Sequence, residues 1–452
     1  MAEKPRQTDE VSHRAHRNRG PKTTPSARRC QLINASMSVN SKPNLARRSE
    51  LPCVRPAGLH HSRPVDPLLR SSLRCVLRPH HLRSKVLLSS LCVNEHLSPY
   101  KRVAAIPGDG IGKDVIPEAV KVVEASGAAV RFIPFDWGAD RYLADKTTVP
   151  PDGFAVLQRD YDAVLAGAFG DPRVPSNTHA REILLGIRSK MDLYANVRPV
   201  RLLDAALCPL KGIAPPDVDF IVIRENTEGV YGDLGGVFKR GTPDEVAIQE
   251  DINTRKGVER IIRYAFELCS RSKKADGSPR GRVLMSDKSN AMTHAGGLWQ
   301  RVFNEVGTEY PAIEKQHMFV DALAMQMARD PRGFDVIVTN NMFGDILTDL
   351  GAALQGGLGM AASGNLHPGK TSMFEPVHGS APPLAGKNVA NPIGAILTAA
   401  MMLAHLGLSA QASRIEAAVA DAVHQNKTTS DIGGKHGTRE VGDWIAARVA
   451  GS

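Results

Sequence analysis

Residues 340–350 have the sequence Asn340-Asn341-Met342-Phe343-Gly344-Asp345-Ile346-Leu347-Thr348-Asp349-Leu350. Because residues i and i+4 lie on one face of a helix, a helical segment would place the carboxylates of Asp345 and Asp349 side by side. Adjacent carboxylates repel each other unless a cation lies between them. Mg²⁺ or Mn²⁺ would suit this pair if a third carboxylate and substrate oxygens were added. The alternative is two solvated acids in the first turns of a helix, where the helix dipole favours negative charge.

The segments around this stretch alternate between strand and helix patterns. The apolar run Lys101–Ile106 ends at Pro107-Gly108-Asp109-Gly110-Ile111-Gly112, and an amphipathic pattern follows. Further apolar runs at Val130–Phe135 and Asp162–Ala168 are separated by helical patterns. This alternation predicts an α/β protein whose largely parallel sheet is covered on both faces. The glycine spacing differs from the Rossmann dinucleotide fingerprint, so that motif is not predicted.

The positive charge is concentrated at one end of the chain. The net charge is +10, and residues 1–99 contain 18 Lys+Arg against 6 Asp+Glu, without Phe, Trp or Tyr. Such a segment can bury little apolar surface, so we interpret residues 1–99 as a disordered basic extension. Its composition resembles an organelle transit peptide, and translation from a wrongly assigned start codon is an equal alternative. A nucleic-acid-binding arm is disfavoured because stacking aromatic residues are missing.

Cysteine usage and hydropathy limit the cellular compartments in which the protein is expected. Only Cys208 and Cys269 lie outside residues 1–99, and no cysteine pair has zinc-ligand spacing. No apolar run is long enough to span a membrane. We therefore expect a reducing compartment, the cytoplasm, or an organelle matrix if the extension is a genuine transit peptide.

Three arginines stand at the edges of apolar segments. Arg188 follows Leu184-Leu185, Arg198 lies in the run Ala195–Pro199, and Arg224 follows the run Phe220–Ile223. The planar guanidinium suits two-point binding of carboxylates, so three converging arginines would hold a small diacid. Three ordinary structural ion pairs are the alternative.

Other polar residues follow apolar runs in the same way. Lys288 follows the run Val283–Ser286, where a partly desolvated lysine could act as a base, although most such lysines are solvated. Asp321 closes Met318-Phe319-Val320 and supplies a third carboxylate at a predicted strand end. The stretch Phe374–Pro382 predicts a tight polar loop ahead of the apolar helix Ile393–Leu406. Loops held between rigid elements commonly bind ligands.

Taken in order, these segments resemble the decarboxylating β-hydroxyacid dehydrogenases of the isocitrate/isopropylmalate dehydrogenase family. The resemblance extends from residue 101 to about residue 450. It implies an α/β fold with a parallel or mixed sheet and two interleaved domains. It also implies an enzyme rather than a regulatory subunit that has lost catalytic groups, because every expected ligand, base and acid is present.

The resemblance implies a role for each singled-out residue. The three arginines, with Leu184 and Leu185 beside them, would hold a 2-hydroxy diacid. Lys288 would take the hydroxyl proton while hydride passes to NAD, and Tyr231 would return a proton after CO₂ is lost. Asp321, Asp345 and Asp349 would bind Mg²⁺ or Mn²⁺. The implied cofactor-binding residues are Glu375, His378, Gly379, Ser380, Asn391 and Asp431.

The resemblance also implies a domain organisation and a homodimer. Residues 100–193 with 356–452 would form the cofactor-binding domain, and residues 194–355 would form the domain for substrate, metal and dimerisation. Lys288 and Asp321 of each copy would reach into the active site of the other copy.

The substrate signals conflict. The stretch Asp192–Pro199 and the leucines before Arg188 favour 3-isopropylmalate, and hence leucine biosynthesis. The family pattern for that substrate, however, has a glutamate where this chain has Arg181, with Glu182 one place on. The stretch Arg224–Tyr231 is more similar to the D-malate/tartrate enzymes, which are the second candidate. Isocitrate is less favoured, since the serine usual before Arg188 has no clear counterpart.

The chain also departs from the family pattern at a position that bears on cofactor choice. Members that use NAD commonly carry an aspartate after Ser-Ala-Pro, where this chain has Pro383. The lysine of the NADP-using members is missing as well. NAD is therefore the favoured cofactor.

Overall fold

The computed structural model describes residues 100–452. The interpretation of residues 1–99 as a disordered extension falls outside these residues and stays a prediction. The described part contains strands β1 (Lys101–Ile106), β2 (Val130–Pro134), β3 (Ala163–Ala166), β4 (Ala195–Arg201), β5 (Asp219–Glu225), β6 (Gly235–Phe238), β7 (Val246–Gln249), β8 (Arg282–Asp287), β9 (Glu314–Phe319), β10 (Val336–Thr339), β11 (Gly364–Leu366) and β12 (Ser372–Phe374). Its α-helices are α1 (Gly112–Ala125), α2 (Ala139–Asp145), α3 (Gly153–Asp160), α4 (Thr178–Lys190), α5 (Arg255–Arg271), α6 (Thr293–Gly307), α7 (Val320–Arg329), α8 (Asn341–Leu354), α9 (Ile393–His405), α10 (Ser409–His424) and α11 (Thr438–Ala450).

Ten strands form one mixed sheet in the order β2-β1-β3-β12-β11-β4-β5-β10-β8-β9. The flanks are parallel: β12, β3, β1 and β2 pair in parallel on one side, and β5, β10, β8 and β9 do so on the other. The centre is antiparallel, because β11 runs against both β12 and β4, and β4 runs against β5. The predicted α/β fold with a parallel or mixed sheet is confirmed. The division at residues 193/194 and 355/356 stays a prediction.

Both faces of the sheet are buried, which explains the nearly continuous apolar runs. Val103 and Leu165 belong to a cluster with α1, α9 and α10, whereas Ala104, Ile106 and Val164 pack against Ile183 and Ile187 of α4. A third cluster joins β4, β5 and β10 to the apolar faces of α7 and α8. Side chains that alternate along one strand therefore serve two different helix layers.

The turn after β1 fixes the loop that follows β12. Gly110 has φ +52°, and a Cβ atom there would lie 1.9 Å from the carbonyl oxygen of Ser380. That same oxygen accepts a hydrogen bond from the Ile111 amide at 2.8 Å. The close approach of the two backbones requires glycine at this position.

The remaining pair of strands, β6 and β7, forms a separate antiparallel hairpin. Every residue of both strands is exposed, including Val237, Phe238, Val246 and Ile248. An exposed apolar surface of this kind is typical of an interface with another protein surface.

Two local predictions need correction. Asp321 does not close a strand, because β9 ends at Phe319 and Asp321 lies in the first turn of α7. The strands predicted at Val130–Phe135 and Asp162–Ala168 are shorter, at Val130–Pro134 and Ala163–Ala166. Cys208 and Cys269 are both free, and the compartment expected from the sequence stays a prediction.

Candidate active site

The acidic pair lies on helix α8, as predicted. Asn340 caps the helix, its side-chain oxygen accepting from the Phe343 amide at 2.9 Å. Leu347 and Leu354 of the same helix are buried against β4 and β5. This packing turns Asp345 and Asp349 away from the core, so Asp345 is partly exposed and Asp349 is exposed.

Two buried arginines contact Asp345. The Nη1 atom of Arg224, which is only 2% exposed, forms an ion pair with Asp345 Oδ1. Arg198 Nη2 lies 3.3 Å from the same oxygen, and its Nη1 donates to Thr348 Oγ1 at 2.5 Å. Arg224 also donates twice to Asn341 Oδ1, at 3.0 and 2.7 Å. The cations that offset the acidic pair within the chain are therefore arginines from β4 and β5.

The pKa values of the two aspartates are displaced in opposite directions. Burial works to raise the pKa of Asp345, but Arg224, Arg198 and the Tyr231 hydroxyl outweigh it and hold that pKa below its usual value. The pKa of Asp349 is raised by partial burial and then by the negative charge of Asp345. A divalent cation beside Asp349 would relieve that repulsion.

The third arginine reaches the same region from α4. Arg188 Nη2 donates to Glu375 Oε1 at 2.8 Å, and both side chains are largely buried. The same Glu375 oxygen accepts from Asn365 Nδ2 at 2.9 Å. Asn365 Oδ1 in turn accepts from Asn196 and Asn226, at 3.0 and 2.9 Å. This network joins β4, β5 and the loop after β12 at the antiparallel centre of the sheet.

An open cleft of about 630 Å³ brings the predicted substrate residues together. Arg188, Arg198 and Arg224 all line it, so their predicted convergence is observed. The cleft is also lined by Leu184, Leu185, Tyr231, Asp345, Glu375, His378 and Gly379. The Tyr231 hydroxyl donates to Asp345 Oδ2 at 3.1 Å, and burial followed by the charge of Asp345 raises the pKa of Tyr231. With Arg181, Asp233 and Glu375 included, the cleft combines four arginines, three acids and an apolar wall.

Lys288 and Asp321 form a pair of their own. Lys288 Nζ lies 2.7 Å from Asp321 Oδ1, and this hydrogen bond lowers the pKa of Asp321. Neither residue lines the cleft that contains Asp345. Within residues 100–452, no group of three or more His, Cys, Asp or Glu side chains is placed to hold a metal ion. A single described chain therefore does not assemble the three predicted metal ligands.

The predicted cofactor residues lie at three places. Glu375, His378 and Gly379 lie at the catalytic cleft, and burial lowers the pKa of His378, which favours a neutral imidazole. Ser380 contacts the turn after β1. Asn391 donates to Asp431 Oδ2 at 3.0 Å beside Gly359, where a Cβ atom would meet both side chains.

Sequence reasoning missed several polar residues of the site. Asn341, Asn196, Asn226 and Asn365 position the arginines and Glu375, yet no role was predicted for them. Arg181 of α4 pairs with Asp233 at 2.6 Å, and both line the cleft. Asn341 could have been suspected, because an unpaired amide next to a strand end is costly to bury.

A mixed α/β sheet with arginines and acids converging at one cleft suits a small anionic substrate. The profile described as isocitrate/isopropylmalate dehydrogenase matches residues 102–445, and the chain belongs to this family of decarboxylating dehydrogenases.

Relatives and a solved structure agree with this assignment. The 3-isopropylmalate dehydrogenase of Thermobifida fusca is 46% identical over 355 residues, which are 77% of this chain and 98% of that protein. The 3-isopropylmalate dehydrogenase of Frankia casuarinae is 46% identical over 77% of this chain and 100% of its own length. The crystal structure of isocitrate dehydrogenase from Methylococcus capsulatus matches with a TM-score of 0.70 and 35% identity, covering 77% of this chain and 99% of that one.

Hydropathy adds one observation. Across residues 100–452, no helix is both long and apolar enough to cross a membrane.

Proposed function

We propose that the chain catalyses the NAD-linked, metal-dependent oxidative decarboxylation of 3-isopropylmalate, a step of leucine biosynthesis. The observation that carries the proposal is the cleft in which three arginines face Asp345 while Leu184 and Leu185 of α4 form an apolar wall. Relatives named for this activity match over nearly their whole length. The arginines suit two carboxylates, and the leucines suit the branched alkyl group of this substrate.

The residues present fit a divalent cation. Asp345 and Asp349 offer carboxylate oxygens on one helix, and partial burial followed by the negative charge of Asp345 raises the pKa of Asp349. Hard cations prefer such oxygen ligands, and Asp321 of a second copy would add a third carboxylate. When bound, the cation supplies Lewis-acid polarisation of the substrate oxygens.

The side chains of the cleft then have separate tasks. Arg188, Arg198 and Arg224 hold the two carboxylates and thereby fix the orientation of the substrate. Lys288 of a second copy takes the C2 hydroxyl proton, and NAD, when bound, would supply the hydride acceptor. The C3–carboxylate bond breaks to release CO₂, and Tyr231 delivers a proton to C3. The Tyr231 hydroxyl lines the cleft and carries a proton, which it donates to Asp345 Oδ2 in the absence of substrate.

We further propose that the enzyme is a homodimer with shared active sites. Lys288 and Asp321 pair with each other away from the cleft that needs them. Exposed apolar side chains that a partner could cover lie on the β6–β7 hairpin, on α7 and on α8, among them Phe238, Met325 and Ile346, the last 60% exposed. Burying these side chains between two copies would remove them from water.

A substrate panel tests the function. We expect Mg²⁺-dependent NAD reduction with 3-isopropylmalate, with kcat/KM roughly tens to a hundred times that for D-malate, because the pocket buries three more carbons. NAD is expected to exceed NADP, since Pro383 offers no cation for a 2′-phosphate. Equal or better turnover of D-malate would assign the chain to the D-malate/tartrate enzymes instead. A preference for NADP would overturn the cofactor assignment, and no turnover of any diacid would favour the regulatory-subunit alternative.

A further inference from the structure

A second cleft, of about 590 Å³, lies between helices α9 and α10 and strands β4 and β5. It shares no lining residue with the catalytic cleft. Its apolar wall includes Ile221 of β5 together with Leu397, Met401 and Ala404 of α9. Its volume lies in the range of small-molecule pockets, which are typically lined by apolar side chains with a few polar groups. We call it the α9–α10 cleft.

Four cations and two acids stand around this apolar wall. Arg280 is committed to an ion pair with Asp219, and Lys274 lies 2.6 Å from Asp335 Oδ1. Arg201 is held only loosely, with its Nη1 3.7 Å from Glu416 Oε2. Lys273 also lines the cleft and forms no ion pair with any residue of the described part of the chain. Within the described residues, Lys273 therefore leaves a positive charge unmatched beside an apolar surface, and Arg201 is only weakly paired.

The elements that line the α9–α10 cleft also reach the catalytic cleft. Strand β4 carries Arg198 into the catalytic cleft and ends at Arg201. Strand β5 starts at Asp219 in the α9–α10 cleft and carries Arg224 near its other end. Gln355, which follows the aspartate helix α8, accepts from the Arg201 amide at 2.8 Å. A ligand in the α9–α10 cleft would thus contact elements that hold catalytic-cleft residues.

We propose that the α9–α10 cleft binds a small organic carboxylate with a hydrocarbon chain. The carboxylate pairs with Arg201 and Lys273, and the chain lies against Ile221, Leu397 and Met401. Such a ligand ties α9 and α10 to β4 and β5 and restricts motion of the walls of the catalytic cleft. Enzymes of this size commonly depend on such motion for turnover, so occupation lowers kcat.

Calorimetric titration of the full chain with hexanoate tests the site, with 1-hexanol as the neutral comparison. We expect saturable binding of hexanoate at least tenfold tighter than of 1-hexanol, because an anion gains charge-assisted hydrogen bonds. Arg201→Gln should weaken hexanoate binding about tenfold and leave 1-hexanol unchanged. Ala417→Trp, at an exposed position of α10 that lines the cleft, should abolish binding of both by filling the space.

Matched variants outside the cleft separate the site from general effects. Arg439→Gln on α11 and Ala410→Trp at another exposed position of α10 should bind hexanoate as the wild type does. Saturating hexanoate should lower kcat at least twofold in the wild type and not in Ala417→Trp. Absence of saturable binding, or binding that survives Ala417→Trp, would overturn the proposed site. Saturable binding with an unchanged kcat would overturn its link to turnover.

Discussion

At the scale of single residues, the main feature of the catalytic cleft is the positive charge of its buried arginine side chains. Arg224 is almost fully buried, and burial, followed by the cations of Arg198 and Arg188, lowers its pKa. Asp345 offsets part of this positive charge, and Glu375 offsets a further part through its ion pair with Arg188. A dianionic substrate would complete the balance, so binding a diacid relieves repulsion that the folded chain otherwise retains.

Leu185 is the residue on which we expect substrate choice to depend. It lines the catalytic cleft beside Arg188, so Leu185→Asn should cut kcat/KM for 3-isopropylmalate by roughly tens to a hundredfold, because about 2–3 kcal/mol of apolar burial is lost. Turnover of D-malate should be spared. Leu185→Met keeps volume and polarity and serves as the control. Equal losses for both substrates in Leu185→Asn would show that the residue supports the fold rather than the alkyl pocket.

His378 makes a prediction about acid stability. Burial lowers its pKa from the usual 6.5, so the unfolded chain binds a proton more readily than the folded one. The contribution of His378 to the free energy of unfolding is therefore fully present above pH 6.5, the pKa in the unfolded chain. It is lost as the pH falls from 6.5 through the lower pKa of the folded chain. The slope is at most about 1.4 kcal/mol per pH unit for this group. His405, also with a burial-lowered pKa, adds a second contribution.

Urea denaturation of His378→Gln between pH 7 and pH 5 checks this effect. The variant should lose less free energy of unfolding on acidification than the wild type. His294→Gln alters an exposed histidine of α6 and should keep the wild-type slope. An unaltered slope in His378→Gln would contradict the prediction.

At the scale of elements, sequence periodicity predicted well the helices and strands, whose formation depends on residues close together in the sequence. The four-residue spacing of Asp345 and Asp349 placed both on one helix, and the apolar run Lys101–Ile106 is the observed β1. Asp321 was misplaced because the apolar pattern of Met318–Val320 continues across the junction between β9 and α7. The amide network around Asn365 could not be predicted, since its partners are up to 169 residues apart.

Asp109 and His179 form a buried pair that joins elements far apart in the sequence, and no sequence pattern indicates this contact. Their side chains are 1% and 0% exposed, and His179 Nε2 lies 2.8 Å from Asp109 Oδ2. Asp109 also accepts from the amides of Ala139 and Gly170, at 2.7 and 2.8 Å. One carboxylate therefore fixes the turn after β1, the start of α2 and the first turn of α4, the helix that carries Arg188.

Removing this carboxylate should destabilise the fold. We expect Asp109→Ala to lower the free energy of unfolding by about 3–5 kcal/mol, the usual cost of breaking a buried, hydrogen-bonded pair. His179→Leu should cost less, about 1–3 kcal/mol, because two amide donors still satisfy Asp109. Asp136→Ala breaks an exposed pair with Arg141 and should leave the urea midpoint unchanged. A midpoint for Asp109→Ala equal to that of Asp136→Ala would refute this role.

At the scale of the whole molecule, the catalytic cleft of a single described chain contains only part of the predicted catalytic set. The catalytic cleft contains Tyr231, Asp345 and the three arginines, whereas Lys288 and Asp321 form a separate pair. The sequence contains all of these residues in order, but order alone cannot show which copy supplies each one. The exposed β6–β7 hairpin gives the physical reason to expect a second copy, because its apolar strands lack a covering layer.

Subunit complementation tests the shared site. Lys288→Ala and Asp345→Asn should each be inactive alone, since each removes one side of every site. In a heterodimer of the two variants, one site receives Asp345 from one copy and Lys288 from the other, and both are intact. Refolding an equal mixture should therefore restore about a quarter of wild-type kcat, because half the dimers are mixed and each has one working site of two.

The matched control mixes Lys288→Ala with Asp321→Ala. Because both residues are contributed from the same side, each site of that heterodimer lacks one of them, and no activity should return. No activity in the Lys288→Ala and Asp345→Asn mixture, despite dimers of the expected mass, would place Lys288 and Asp345 in the same chain's site. Activity in the control mixture would show that Lys288 and Asp321 are contributed from different sides. The comparison depends on which copy supplies each group and not on the identity of the diacid, so any substrate that the wild type turns over can be used.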